Sequence, residues 1–278
     1  MRTHRHLISA AALAVLVACG ASPSPAGGTD AGPPYDVASD VVKDATTQQI
    51  EVWAPAGGGR WPVVYAVPGL GGRRTDFDQV GPALARHGVV VFATDYRVTG
   101  TEEQVTADLA CGYRYARTVA GKYGGDLTRP VTAVGYSRGA ELALGALRED
   151  VYGPGGSYDR CFEGTAVPDV VVAIDGCYYA YKDLTFDFPV ELLSKKDAEV
   201  VLVSGQKDDV CAPWQSTRAA EALDAAGYDT TLVPIPDANH YQPIYHDLVG
   251  GRWVTDPGNP AGNRTVQAVL DAVNAAGQ

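Results

Sequence analysis

The stretch from Val131 to Leu147 constrains the fold of this chain more than any other. A short, β-branched apolar run, Val131-Thr132-Ala133-Val134, leads into Gly135-Tyr136-Ser137-Arg138-Gly139. Ala140 to Leu147 follows, a good helix former with apolar residues at helical spacing. The order reads as a buried parallel strand, a cramped turn and a helix. Glycines on either side of the serine mark positions where a side chain would strike the neighbouring strand or helix. Such a turn carries Ser137 at its tip.

The remaining segments alternate in the same way, which predicts an α/β fold built on a mostly parallel sheet flanked by helices. Gln49 to Trp53, Trp61 to Val67, Val89 to Thr94, Asp169 to Ile174, Glu199 to Ser204 and Thr230 to Ile235 read as strands. Phe77 to Arg86, Glu102 to Tyr123 (interrupted by Gly112), Gln215 to Ala226 and Val266 to Ala275 read as helices. With 278 residues and 46% hydrophobic content, the chain suits one large α/β domain with appendages. No internal repeat or second domain is evident, and modest insertions predict a small or absent lid.

The formal net charge of −11 argues against a nucleic-acid partner, because nothing in the sequence resembles a basic patch that could neutralise phosphates. At the N-terminus, Arg2, His4, Arg5 and His6 precede an apolar run from Leu7 to Ala18. That run is short for a membrane span and reads as a signal peptide over residues 1–18. Leu16-Val17-Ala18-Cys19 resembles the bacterial lipobox, which implies lipidation of Cys19 and a membrane contact made only through the lipid. Ordinary cleavage and secretion is the rival. Residues 19–35, rich in Ala, Ser, Pro and Gly, read as a flexible tether, leaving residues 36–278 as the body. Export gives the other four cysteines an oxidising setting, with three possible connectivities. Cys177 and Cys211 each follow strands expected to be neighbours, so they form the first pair, leaving Cys111 with Cys161.

A serine hydroxyl becomes a nucleophile when a base takes its proton and an acid orients that base. Of five histidines, His4 and His6 leave with the signal peptide, and His87 precedes the serine at a helix end. His240, in the polar loop Asp237-Ala238-Asn239-His240-Tyr241 past the last strand, is the expected base. His246, read as helical, ranks second. Asp208 and Asp209 both lie in the loop after the strand Glu199 to Ser204, and Asp175 ends another strand. One of the two adjacent aspartates points at the histidine, the other at solvent. Oxyanion donors are expected from the backbone N–H of Arg138, just after the serine, and of Leu70 in the glycine-rich loop Pro68-Gly69-Leu70-Gly71-Gly72. Tyr178, Tyr179, Tyr181 and Trp214 either line a pocket or pack a small lid. No metal or nucleotide motif is present, so neither a metal nor a cofactor is expected.

Together these residues resemble the α/β-hydrolase superfamily across Asp36 to Gln278. Asp95-Tyr96-Arg97, Lys122-Tyr123-Gly124-Gly125-Asp126 and the serine turn look like bacterial carboxylesterases of the feruloyl-esterase-like and hormone-sensitive-lipase-like groups. Those groups often carry HGGG and G-D-S-A-G-G runs. Pro68-Gly69-Leu70-Gly71, Asp209-Val210-Cys211-Ala212-Pro213 and Ala238-Asn239-His240-Tyr241 look more like polyester hydrolases, cutinases and dienelactone-hydrolase-like enzymes. The resemblance implies a serine esterase acting through an acyl-enzyme on Ser137, with a small-molecule or polymer-borne ester as substrate. Its D-x-x-x-P run implies Asp209 as the acid, with Asp208 as the alternative. An amidase or peptidase using the same triad is a second reading. A catalytically inactive, surface-anchored binding protein is a third, and the order Ser…Asp…His argues against it.

Overall fold

The computed structural model describes residues 35–41, 48–156, 161–162, 164–178 and 190–277. In chain order the elements are β1 (Tyr35–Val41), β2 (Gln49–Pro55), β3 (Val63–Val67), α1 (Val80–Arg86), β4 (Val90–Thr94), α2 (Glu102–Val119) and β5 (Val131–Tyr136). Then come α3 (Arg138–Gly145), α4 (Glu149–Tyr152), β6 (Val170–Ile174), β7 (Glu199–Gly205), α5 (Pro213–Ala225), β8 (Asp229–Ile235), β9 (His246–Val249), β10 (Arg252–Thr255) and α6 (Pro260–Ala275).

Eight strands form one sheet in the order β1-β2-β4-β3-β5-β6-β7-β8. β1 pairs with β2 and β2 with β4 in antiparallel fashion, and every other neighbour is parallel. Every residue of β3, β4, β5 and β6 is buried, which is why these strands read as unbroken apolar runs rather than alternating ones. Alternation survives in which face each residue serves. Val63, Tyr65 and Val67 join a core with Leu109 and Tyr113 of α2, Leu144 of α3 and Leu223 of α5. Val64 and Ala66 point the other way, into a second core with Leu84 of α1 and Val269 of α6. Each fully buried Val or Leu contributes about 1.5–3 kcal/mol, so these two layers hold the sheet rigid beneath the loops at its end.

Two local expectations are corrected, at Gly112 and at His246, and one strand had no counterpart in the sequence reading. Gly112 does not interrupt α2: a Cβ there would lie 2.7 Å from the Tyr65 hydroxyl, so the glycine admits a tyrosine between helix and sheet. The segment from Tyr35 is a strand from its first residue, although Asp36 and Asp40 break any apolar run in it. His246 opens β9 rather than lying in a helix, and β9 pairs antiparallel with β10.

Both expected disulfides form. Cys111 and Cys161 have Cα atoms 5.5 Å apart, and Cys177 and Cys211 4.8 Å apart. Beside the first bridge, fully buried Arg114 donates to the carbonyls of Gly164, Tyr152 and Gly153, which ties the excursion after α3 back onto α2. The signal peptide, the tether and Cys19 lie outside the described residues, as do Tyr179 and Tyr181. No described helix is long and apolar enough to cross a membrane.

Candidate active site

Ser137 joins β5 to α3 with φ 54° and ψ −123°, a conformation that a non-glycine residue adopts only where the surroundings impose it. The imposition is visible at the flanking glycines. A Cβ on Gly135 would sit 2.0 Å from the Gly139 carbonyl oxygen. One on Gly139 would sit 2.1 Å from the carbonyl oxygen of Val67 and 2.4 Å from that of Pro68. Helix α3 therefore starts hard against the ends of β5 and β3. The Ser137 amide donates to the Ile174 carbonyl at 2.8 Å, which anchors the turn to β6 as well.

His240 Nε2 lies 3.0 Å from Ser137 Oγ, and its Nδ1 lies 2.7 Å from Asp208 Oδ2. The three side chains come from three loops at one end of the sheet, brought together over sequence separations of 103 and 32 residues. The imidazole sits between the rings of Tyr136 and Tyr241, with centroids 5.2 and 5.3 Å away. The Tyr136 hydroxyl also donates to the His240 carbonyl at 3.1 Å, which fixes the backbone under the ring.

The carboxylate facing His240 is that of Asp208, and this corrects the expectation of Asp209. Asp208 lies in the turn that leaves β7, where its Oδ1 accepts from the amides of Val210 and Cys211, both at 2.8 Å. That local turn swings the carboxylate inward and leaves Oδ2 for the histidine, so the side chain is fully buried. Asp209, one position further round the turn, is exposed. The Cys177–Cys211 bridge ties the residue whose amide holds Asp208 to the segment after β6.

Asp175, the third carboxylate considered, is also buried but serves the backbone. Its Oδ1 accepts from the Gly205 amide at 2.6 Å, while its Oδ2 has no partner among the described residues. Burial holds this carboxyl well above the usual carboxylate range, and the Gly205 amide only partly opposes that. His246 lies away from the serine, 3.2 Å from Asp78. His87 caps the C-terminus of α1 and is exposed.

The two amides expected to meet an oxyanion, those of Leu70 and Arg138, make no hydrogen bond among the described residues. The Gly69 amide, in contrast, is taken by Asp76 Oδ2 at 2.8 Å. The Gly69 carbonyl accepts from the Tyr96 hydroxyl and from the Gly72 amide. Neither Asp76 nor Tyr96 was assigned a role from sequence. Tyr96 lies in the run Asp95-Tyr96-Arg97, and no sequence spacing links it to the glycine loop. The Arg138 side chain turns away to Glu102, 2.7 Å distant.

Of the candidate pocket aromatics, Tyr178 is fully buried in the core, whereas Trp214 is part-exposed at the start of α5 beneath Arg218. Asp208, Cys211 and His240 offer ligand-type atoms within 4.8 Å of one another, but the Cys211 sulfur is in a disulfide. The carboxylate and imidazole there are bonded to each other.

No family model matches the chain, and no curated protein matches it either. Solved structures do. The butyrate-bound esterase 2 of the planctomycete Thermogutta terrifontis superposes with a TM-score of 0.64 at 20% identity, over 88% of this chain and 95% of that one. The same esterase phosphoramylated by tabun gives a TM-score of 0.64 at 20% identity, over 88% and 96%. A truncated carbohydrate esterase from gut microbiota gives 0.66 at 15% identity, over 88% and 99%. These likenesses show the α/β-hydrolase fold over nearly the whole of the esterases compared.

Proposed function

We propose that this chain is a serine hydrolase of carboxylic esters. The observation that carries the proposal is the continuous hydrogen-bonded line Ser137–His240–Asp208 ending on a strained turn. Ester cleavage needs a nucleophile, a base in the correct tautomer and donors for the developing charge. In this reading His240 Nε2 takes the Ser137 proton as Oγ attacks the ester carbonyl. The Nδ1–H stays bonded to Asp208, whose other oxygen is already occupied by two amides and so does not compete. The N–H groups of Leu70 and Arg138 receive the oxyanion. Collapse expels the alcohol, which takes the proton back from His240. Water then repeats the sequence to release the acid and restore Ser137.

The fold neighbours support the reading, since both are esterases and one is modified by an organophosphate. The test combines a fluorophosphonate probe with p-nitrophenyl esters of graded chain length. Ser137→Ala is expected to fold, to lose labelling and to lose at least about 10³-fold in turnover. Turnover surviving in that variant would show that Ser137 is not the nucleophile. Hydrolysis of p-nitroanilides in preference to the esters would move the chain to the amidase class.

A further inference from the structure

The loop between β3 and the first turn before α1 is held by side chains that the triad does not use. Its first residues pack directly on the serine turn. The carbonyls of Val67 and Pro68 approach Gly139 so closely that no Cβ fits there, and a Cβ on Gly69 would lie 3.2 Å from the Tyr136 ring. Gly69 is gripped on both sides of its backbone. Asp76 Oδ2 accepts from its N–H at 2.8 Å, and its carbonyl accepts from the buried Tyr96 hydroxyl. The turn is closed by Gly72, whose amide donates to the Gly69 carbonyl at 2.8 Å and whose carbonyl accepts from the Tyr96 amide at 3.0 Å. Tyr96 thus bonds this turn through both its side chain and its backbone.

Two consequences follow for the chemistry. With its N–H occupied by Asp76, Gly69 is removed as an oxyanion donor. The next N–H along the loop, that of Leu70, has no partner among the described residues, and the Leu70 side chain is exposed. An amide at the end of a three-atom grip has little freedom to turn, which is the preorganisation an oxyanion donor requires.

We propose that Asp76 and Tyr96 are positioning residues for the oxyanion hole: they clamp the Gly69 peptide so that the Leu70 N–H, and not the Gly69 N–H, faces the developing charge. This proposal rests on the serine-hydrolase reading. Burial raises the Asp76 carboxyl above its ordinary range, and the Gly69 amide and then His246 draw it back, with Asp78 acting to raise it and Arg73 to lower it. The carboxyl thus lies in an enclosed setting, where a hydrogen bond to a single amide is directional.

The test uses the full chain with Asp76→Ala, Asp76→Asn and Tyr96→Phe, beside Ser137→Ala. Turnover of a short p-nitrophenyl ester is measured with inhibition by a trifluoromethyl ketone, which forms a tetrahedral adduct on a nucleophilic serine. Loss of a complete oxyanion donor costs about 10²–10³-fold in kcat, so a misplaced donor in Asp76→Ala is expected to cost about 10–100-fold. KM should change by less than about 3-fold, because the donor acts on the transition state. Asp76→Asn keeps an acceptor oxygen for the Gly69 amide and should recover most of the rate. Tyr96→Phe should cost about 10-fold, and ketone affinity should fall in step with kcat across the series. A loss of thermal stability alone would leave the ketone affinity of the folded fraction unchanged. Should Asp76→Ala fail to fold, Tyr96→Phe and Asp76→Asn carry the test, because each retains nearly the full side-chain volume. The clamp is overturned if Asp76→Ala and Tyr96→Phe keep parental kcat and ketone affinity while Ser137→Ala is inactive. It is also overturned if Asp76→Asn is as impaired as Asp76→Ala. An active Ser137→Ala would instead remove the hydrolase reading itself.

Discussion

The serine turn and the acid loop lie at the same end of the sheet, one after β5 and the other after β7, but they reach their geometry by different means. At the serine turn the constraint is local and steric. Three chain segments approach so closely that only glycine fits at residues 135 and 139, and the residue between them is forced to φ 54°. At the acid loop two chemically identical neighbours meet opposite fates. Asp208 is buried and bonded to His240, and Asp209 is exposed. What separates them is one step of backbone rotation in a turn held by the Val210 and Cys211 amides, by the Cys177–Cys211 bridge and by the Asp175–Gly205 bond. Steric exclusion leaves a pattern in sequence. A turn's rotation does not.

The strongest challenge to this contrast is to exchange the two carboxylates for amides. Asp208→Asn is expected to lower kcat by about 10³–10⁴-fold, since an amide there favours the wrong histidine tautomer. Asp209→Asn should stay within about 2-fold of the parent, because its carboxylate is exposed and the His240 Nδ1 is already bonded to Asp208. Steady-state rates on one ester decide it, and comparable losses in both variants would show that the acid is not assigned by burial.

The steric side is sharpened by Gly139→Ala. Its Cβ would enter the space of the Val67 carbonyl oxygen, so the serine turn must either shift or strain. A cost of about 3 kcal/mol is expected, which lowers Tm by roughly 6–12 °C for a domain of this size. An unchanged Tm in calorimetry would mean that the turn is softer than the contacts indicate.

The smallest expected effect probes the carboxyl that holds the acid strand. Asp175 is buried, and its carboxyl is raised in the folded chain relative to the unfolded one. The native state therefore keeps a proton that the unfolded chain gives up. Stability from this group is present below the unfolded carboxylate pKa and falls as pH rises from there toward the folded value. Asp175→Asn retains an acceptor for the Gly205 amide and removes the titration. Its Tm is expected to exceed the parent's by about 2–4 °C at pH 7–8, with the gap closing toward pH 4. A gap that is constant across that range would assign Asp175 no part in the pH dependence of stability.

Much of the architecture was legible because buried parallel strands must be apolar on both faces. The runs later seen as β3, β4, β5, β6 and β7 stand out from any polar background, and helices must fill the gaps between them. β1 and the β9–β10 hairpin escaped notice for the converse reason. β1 carries polar residues through its length, and β9 and β10 are exposed beyond His246 and Asp247, so no burial periodicity reports on them. Ser137 is legible from the apolar run, flanking glycines and helix around it, His240 from chain order and elimination, the Cys177–Cys211 pair from the adjacency of strands and Cys111–Cys161 as the remainder. Asp209 was favoured because spacing to Pro213 is a one-dimensional measure, whereas the inward turn at Asp208 is a matter of backbone direction.

The sequence by itself determined the α/β layering, the position of the serine on its turn and the loop that holds the histidine, since each depends on residue type at short range. Only the tertiary structure decided which aspartate meets the imidazole, that Asp175 serves the Gly205 backbone, and that Asp76 and Tyr96 grip Gly69. Those contacts join residues that are neighbours only after the sheet has assembled. The direction of a polar side chain in a loop is set by which unpaired amides and hydroxyls the folded chain brings within about 3 Å of it.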